Sequence, residues 1–262
     1  MNTTSEERKE IVRLTLRQMI ENVPVLGSFL NNVFFEFRSN IKQARLNKFV
    51  EALEQELTDM DINPASLQTE ESVDLFDTIF RKVTDTRNEK RRDGLKNILV
   101  HGLRHQDQIE YCELFAEHLL SFHPKELEIL AAHQLYIVAG KGPLPRRNEL
   151  KEEMDQHSIY HQARIKPINI MLNYQLKPDF KPRPLHIMKD EYTHAKKMLE
   201  RYQKELVPEK FGISEDELKF FLQNLLSKGL LRDDGVGAIG TEPIEIMSIT
   251  RLGLKFLDFI KS

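Results

Sequence analysis

Apolar residues return every three or four positions over most of this chain, and polar turns interrupt the rhythm, which is the pattern of amphipathic helices. Val12, Leu16, Met19 and Val23 mark a first helix over 4–22, with Thr4 and Glu7 at capping-box spacing. From Pro24 the stripe continues through Leu26, Leu30, Val33, Phe37 and Ile41. Leu46, Val50, Leu53, Leu57 and Met60 extend it as a near-heptad series, so one long helix, or two in line, reaches the turn at Asn63-Pro64. Val73, Phe76, Phe80 and Val83 predict a third helix. Leu95, Ile98, Leu99 and Leu103 predict a fourth, and Ile109, Cys112, Phe115, Leu119 and Phe122 a fifth. Five such helices joined by short polar turns predict an all-α bundle over 1–122.

His123-Pro124 is a natural break, because proline is tolerated in the first turn of a helix. That helix is expected to run to about Val138, followed by AGKGPLPRR as a flexible basic link and a helical stretch over 146–162. Pro167, Pro178, Pro182 and Pro184 forbid a regular helix across the next stretch. Met188, Tyr192, Ala195, Leu199 and Tyr202 then lie on one side of a polar helix over 186–206. Ser214 and Glu217 form a second capping box ahead of Leu218, Phe221, Leu222 and Leu225, and Gly229 stands where a helix stops. There the period falls to two. Leu230 and Leu231 enter one short strand, Ile244, Ile246, Ser248 and Thr250 form another, and RLGLKFLDFI closes as a helix.

The order helix, "KGLL", two-stranded wing and "ITRLGLKFLDFI" over 213–260 resembles the second half of a winged-helix domain. "HPKELEILAAH", residues 123–133, looks like that family's first helix, which makes 140–210 an insertion within a domain spanning 123–262. The expected fold class is therefore mainly α: an N-terminal helical bundle followed by an α-rich winged-helix-like domain with a small two-stranded wing. "VPVLGSFLNNVFFEFRSNIKQARLNKFVEALEQEL" with "FDTIFRKVTDTRNEKRRDGLKNILVHGL" is similar to the helical region of uncharacterised bacterial proteins that pair such a bundle with a C-terminal winged helix. Some proteins of that look occur in anti-phage or stress-related settings. The resemblance implies a fold and carries over no catalytic residue.

Composition narrows the setting. A single Cys112 excludes an intramolecular disulfide and a cysteine zinc cage, and fits a reducing cytosol. The first twenty residues mix acids and bases where a signal peptide needs an unbroken apolar run, and no window reaches the roughly 20 apolar residues of a spanning helix, so a cytoplasmic protein is expected. The most apolar stretch, ENVPVLGSFLNNVFFEF over 21–37, is too short and too polar to span, and reads as a helix corner within the bundle. The net charge of −3 conceals opposite blocks. Residues 51–80 hold nine acids and no Lys or Arg, whereas 81–104 hold eight bases against three acids, so two helical faces are expected to neutralise each other.

Candidate chemistry is sparse. Glu153, His157 and His161 share one helical face, but HSIYH lacks the general base of a metalloprotease helix, and His101 and His105, at a helix end, are expected at the surface. GKGP has no P-loop continuation, no serine sits in a GxSxG context, and Cys112 lies on an apolar stripe. No catalytic residue, cofactor or metal site is expected. The helix placed to meet DNA in a winged helix begins Glu215-Asp216-Glu217, and the wing over 229–249 sets Arg232 against Asp233, Asp234, Glu242 and Glu245. Protein docking or self-association is thus expected, with nucleic acid disfavoured. The candidate contact surfaces are the apolar face of Phe29, Val33, Phe34, Phe35 and Phe37 and the basic patch of Arg87, Lys90, Arg91, Arg92 and Lys96. The expected function is a non-enzymatic interaction or regulatory protein with defence as one setting. The alternatives are a winged-helix transcriptional regulator and a membrane-active effector using the N-terminal helices.

Overall fold

Side-chain caps set where several of the helices begin. The computed structural model describes residues 36–59, 67–165, 183–236 and 243–261, together with five positions among the first fifteen. Among these the chain is mainly helical, with ten α-helices and one two-stranded antiparallel sheet. By internal contacts it divides into two units: residues 1–122 with 256–262, and residues 123–255. The expected domains, 1–122 and 123–262, differ from this division in the last seven residues.

The first unit contains α1 (Glu36–Asp59), α2 (Glu70–Asp85), α3 (Glu89–Arg104) and α4 (Ile109–Ser121), with a 3₁₀ turn at Gln106–Gln108 before α4. Thr69 Oγ1 accepts the amide of Ser72 to cap α2, and Asn88 Oδ1 accepts that of Arg91 to cap α3. α1 buries Leu46, Phe49, Leu53 and Leu57, so the stripe runs through Phe49 while Val50 is half-buried. Phe49 meets Phe80 edge-on, with ring centroids 5.9 Å apart. Val73, expected in the core, is 46% exposed; Leu75 and Ile79 occupy the buried face of α2 with Phe76 and Phe80. The buried face enters this helix through Ser72, one position before Val73. On α3, a Cβ at Gly102 would stand 2.6 Å from Cys112 Sγ and 2.8 Å from Leu75 Cδ2, so glycine there lets α2 and α4 approach closely. Cys112 is fully buried at that contact.

The final helix, α10 (Arg251–Lys261), gives its later turns to this first core. Phe256, Leu257 and Phe259 are buried, with Phe259 edge-on to Phe115 at 4.8 Å and Phe256 beside Phe115 and Phe122. Asn97 Nδ2 donates to Ile260 O at 3.0 Å, satisfying a carbonyl of the last turn.

The second unit contains α5 (Pro124–Gln134), α6 (Pro143–Ile165), α7 (Leu185–Glu205), α8 (Pro208–Phe211), α9 (Glu215–Ser227), β1 (Leu231–Asp233), β2 (Met247–Ile249) and the first turn of α10. α5 stops at Gln134, four residues short of expectation. AGK is a tight turn and not a flexible link: Ala139 and Gly140 both take positive φ, and Val138 and Lys141 exchange backbone hydrogen bonds of 2.8 and 3.1 Å. The long helices α6 and α7 pack together around Val138, Leu150 and Ala195. Arg146 of α6 bridges Glu149 and Glu191, and Arg183 reaches the same Glu191. These contacts hold both glutamates below the usual carboxylate range, through the Lys141 and Arg146 hydrogen bonds at Glu149 and that of Arg183 at Glu191.

Both capping boxes of the second unit form. His123 Nδ1 accepts the Lys125 amide ahead of α5, and Ser214 Oγ accepts that of Glu217 ahead of α9. Glu126, only 2% exposed, accepts from the His123 amide and from Asn224 Nδ2, both at 2.5 Å, and so fastens α5 to α9. The strands pair Leu231 with Ile249, Arg232 with Ser248 and Asp233 with Met247. Asp233 accepts amides from Gly235 and Ile244 at 2.8 Å, bridging the two sides of the hairpin. No helix among the described residues is long and apolar enough to cross a membrane.

Candidate functional site

Among the described residues, each unit carries a concavity of about 490 Å³. The one in the second unit opens between α5, the end of α7, α8, α9 and the approach to β2. Its walls are apolar: Ile129, Leu206, Ile213, Leu218, Leu222 and Ile244. Its floor is the pair His133 and Tyr202. His133 Nδ1 lies 2.7 Å from the Ile129 carbonyl, which can only accept, so Nδ1 carries the proton and Nε2 keeps its lone pair. Tyr202 accepts the Met247 amide at 2.8 Å and points its own proton at His133 Nε2, 3.4 Å away. Burial outweighs the Ile129 hydrogen bond and pulls the His133 pKa down to about 4, and burial pushes the Tyr202 phenol well above its usual range. Floor histidine and tyrosine are both neutral at physiological pH. Behind them, burial and the hydrogen bond to Glu205 raise Tyr136 to about 12. Arg201, Tyr136 and Lys210 together hold Glu205 at about 2.

The rim is charged. Glu209 of α8, Glu215 of α9 and Glu245 ahead of β2 come from three separate segments, and Lys219 is paired with Glu215 at 2.7 Å. Ile244, at the lip, holds φ at +68°, a left-handed conformation that a β-branched residue adopts at a cost of about 1–3 kcal/mol. Asp233 stabilises it by accepting its amide. None of these residues belongs to a sequence motif. In sequence they fall among apolar-stripe positions, a capping box and the acids of the expected wing and its helix, and only the packing of α5, α7, α8 and α9 brings them to one cleft.

The concavity of the first unit is lined by Arg81, Lys82, Arg87 and Arg91 against Asp85. Within the expected basic patch, the structure separates the residues by role. Arg91 donates to the carbonyls of Leu120, at 3.1 Å, and Phe122, closing the C-terminus of α4. Arg92 donates to Thr86 and Arg87 carbonyls at 3.0 Å, and Lys96 pairs with Glu56 of α1. Arg87 and Lys90 stay exposed. Of the expected meeting of acidic and basic faces, Glu56–Lys96 joins the two blocks across helices; Asp77–Arg81 is a pair within α2, and Lys42–Asp85 runs the other way, from a base of α1 to an acid of the basic block.

The apolar contact candidates Phe29, Val33, Phe34 and Phe35 lie outside the described residues. Phe37 falls in α1, with its side chain likewise outside. Glu153 turns to Arg183 at 3.4 Å, the His161 side chain lies outside the description, and no group of three or more His, Cys, Asp or Glu gathers among the described residues. His101 stacks on Phe259 at 3.7 Å between ring centroids and is half-buried, where a surface position was expected.

No family model, curated protein or solved structure matches this chain.

Proposed function

We propose that this is a non-enzymatic cytoplasmic interaction or regulatory protein that works through protein contacts, with defence as a candidate setting. The observation that supports this reading is Phe220. It stands 64% exposed on α9, the helix that would face DNA in a winged-helix arrangement. Its neighbours on the exposed face are Asp216, Glu217, Lys219 and Gln223. A DNA-reading helix needs cations for phosphates, whereas an exposed aromatic with two acids beside it suits a protein partner with a basic, apolar surface. Leu135 and Val236, 69% and 76% exposed, add apolar surface in the same unit. Arg87 and Lys90 offer a second, basic contact in the first unit.

The test compares wild type with Phe220→Ser. A protein captured by the wild type, lost on the variant, and shown to bind when both purified components are mixed would support the reading. A low-salt shift of duplex DNA by wild type, with no Phe220-dependent partner, would replace it with the regulator reading.

A further inference from the structure

We infer that Phe220 docks on a second copy of this chain, in the basic concavity of that copy's first unit. The inference rests on the protein-docking reading of Phe220 and names the partner. The two surfaces are opposite in charge. On α9 the exposed stripe runs through Asp216, Phe220 and Gln223. Glu215 is paired with Lys219 and Glu217 closes the capping box on Ser214, whereas the Asp216 side chain has no partner among the described residues. The concavity, of about 490 Å³, sets Arg81, Lys82, Arg87 and Arg91 around Leu120, and its one acid, Asp85, is already engaged by Lys42. Arg81, Lys82 and Arg91 are held by Asp77, Glu117 and the carbonyls that close α4. The side chains of Arg87 and of Lys90, in the first turn of α3, are exposed and have no partner among the described residues. They are the cations left to meet Asp216. A phenyl ring suits a hollow of this composition, because guanidinium groups are weakly hydrated and attracted to an aromatic face, and Leu120 offers it apolar contact. The basic, apolar surface that α9 requires is thus present on the chain itself. Since the two surfaces differ, the contact is heterologous: exchanged both ways it closes a dimer, and otherwise it extends a row of copies.

Sedimentation equilibrium of the full chain at low salt, from micromolar to submillimolar concentration, tests this. The mass should rise above that of one chain as concentration increases. Phe220→Ser and Arg87→Glu should each weaken self-association by about tenfold, the worth of one ring–cation contact or of one charge turned repulsive. Both residues are exposed, and thermal unfolding would establish that each variant is folded. Mixing the two variants is the decisive step. Arg87→Glu still presents Phe220 and Phe220→Ser still presents the intact concavity, so the mixture should associate about tenfold more tightly than either variant alone. A wild type that stays monomeric throughout, association indifferent to both variants, or a mixture no tighter than its components would each overturn the inference; the last would mean that like surfaces meet. A monomeric chain that still binds a different protein through Phe220 would overturn this inference and leave the docking reading standing.

Discussion

His133 and Tyr202 share one hydrogen bond across the base of the cleft, Oη to Nε2 at 3.4 Å, and the same phenol oxygen receives the Met247 amide. One hydroxyl thus ties α7 to α5 and to β2. All three groups are buried, so each relies on the others to satisfy it.

Tyr202→Phe should accordingly lower the unfolding free energy by about 2 kcal/mol, because it leaves the Met247 N–H and the His133 lone pair buried without a partner. Urea unfolding would read this. A loss under about 0.5 kcal/mol would mean that water or a shifted backbone replaces the hydroxyl.

His133 sets a pH dependence of definite sign. Its folded pKa of about 4 lies below the 6.5 of the unfolded chain, so the unfolded state takes up a proton first as pH falls. Its contribution is full above pH 6.5 and is lost as pH falls through 4, for a total of about 3 kcal/mol. The depressed carboxylates Glu149, Glu191 and Glu205 act lower, with stability lost as pH falls below 4.5. His133→Gln should therefore flatten the stability profile between pH 6.5 and 4 and leave the more acid limb intact.

Two glycines should respond differently to alanine. At Gly253 a Cβ would press on the backbone carbonyl oxygen of Leu230, which already accepts the Thr250 amide and cannot move aside cheaply. Gly253→Ala should cost about 3 kcal/mol. At Gly94 the nearest atom, 2.7 Å away, is the methyl Cδ2 of Leu119, which can rotate, and alanine favours the helix by about 1 kcal/mol. Gly94→Ala should fall within about 1 kcal/mol of wild type by thermal unfolding.

Within the basic patch, Arg91→Ala should cost about 2 kcal/mol, since the C-terminal carbonyls of α4 lose a charged donor. Arg87→Ala should cost under about 0.5 kcal/mol. Equal losses would contradict the division of the patch into one structural and one solvent-facing arginine.

Local rules made much of this fold legible. The capping box at Ser214 and Glu217, the proline start of α5 and the stop at Gly229, whose φ is +70°, all read from neighbours in sequence. Thr250, placed at the end of the second strand, serves as the N-cap of α10, accepting the Gly253 amide at 3.0 Å. Val73 misled because a single apolar residue in the first turn of α2 fits either of two adjacent faces, and only packing chooses between them. The Ala139-Gly140 turn was hidden because alanine is an uncommon occupant of a left-handed position. The basic patch was legible as charge, but whether an arginine serves a backbone carbonyl or the solvent depends on where α4 ends in space. The cleft was illegible for the same reason: His133, Tyr202 and Glu209 come to line one cleft only after four helices have packed.

The late turns of α10 also set an order of events. Phe115 and Phe122 are completed by Phe256 and Phe259, so the first unit closes its core with residues that follow the whole of His123–Lys255. At a synthesis rate of about 5–20 residues per second, the ribosome needs roughly ten seconds to deliver them. Through that interval the N-terminal helices present an open aromatic seam. The first unit is begun before the second and finished after it, and it is during translation that it is most in need of shelter.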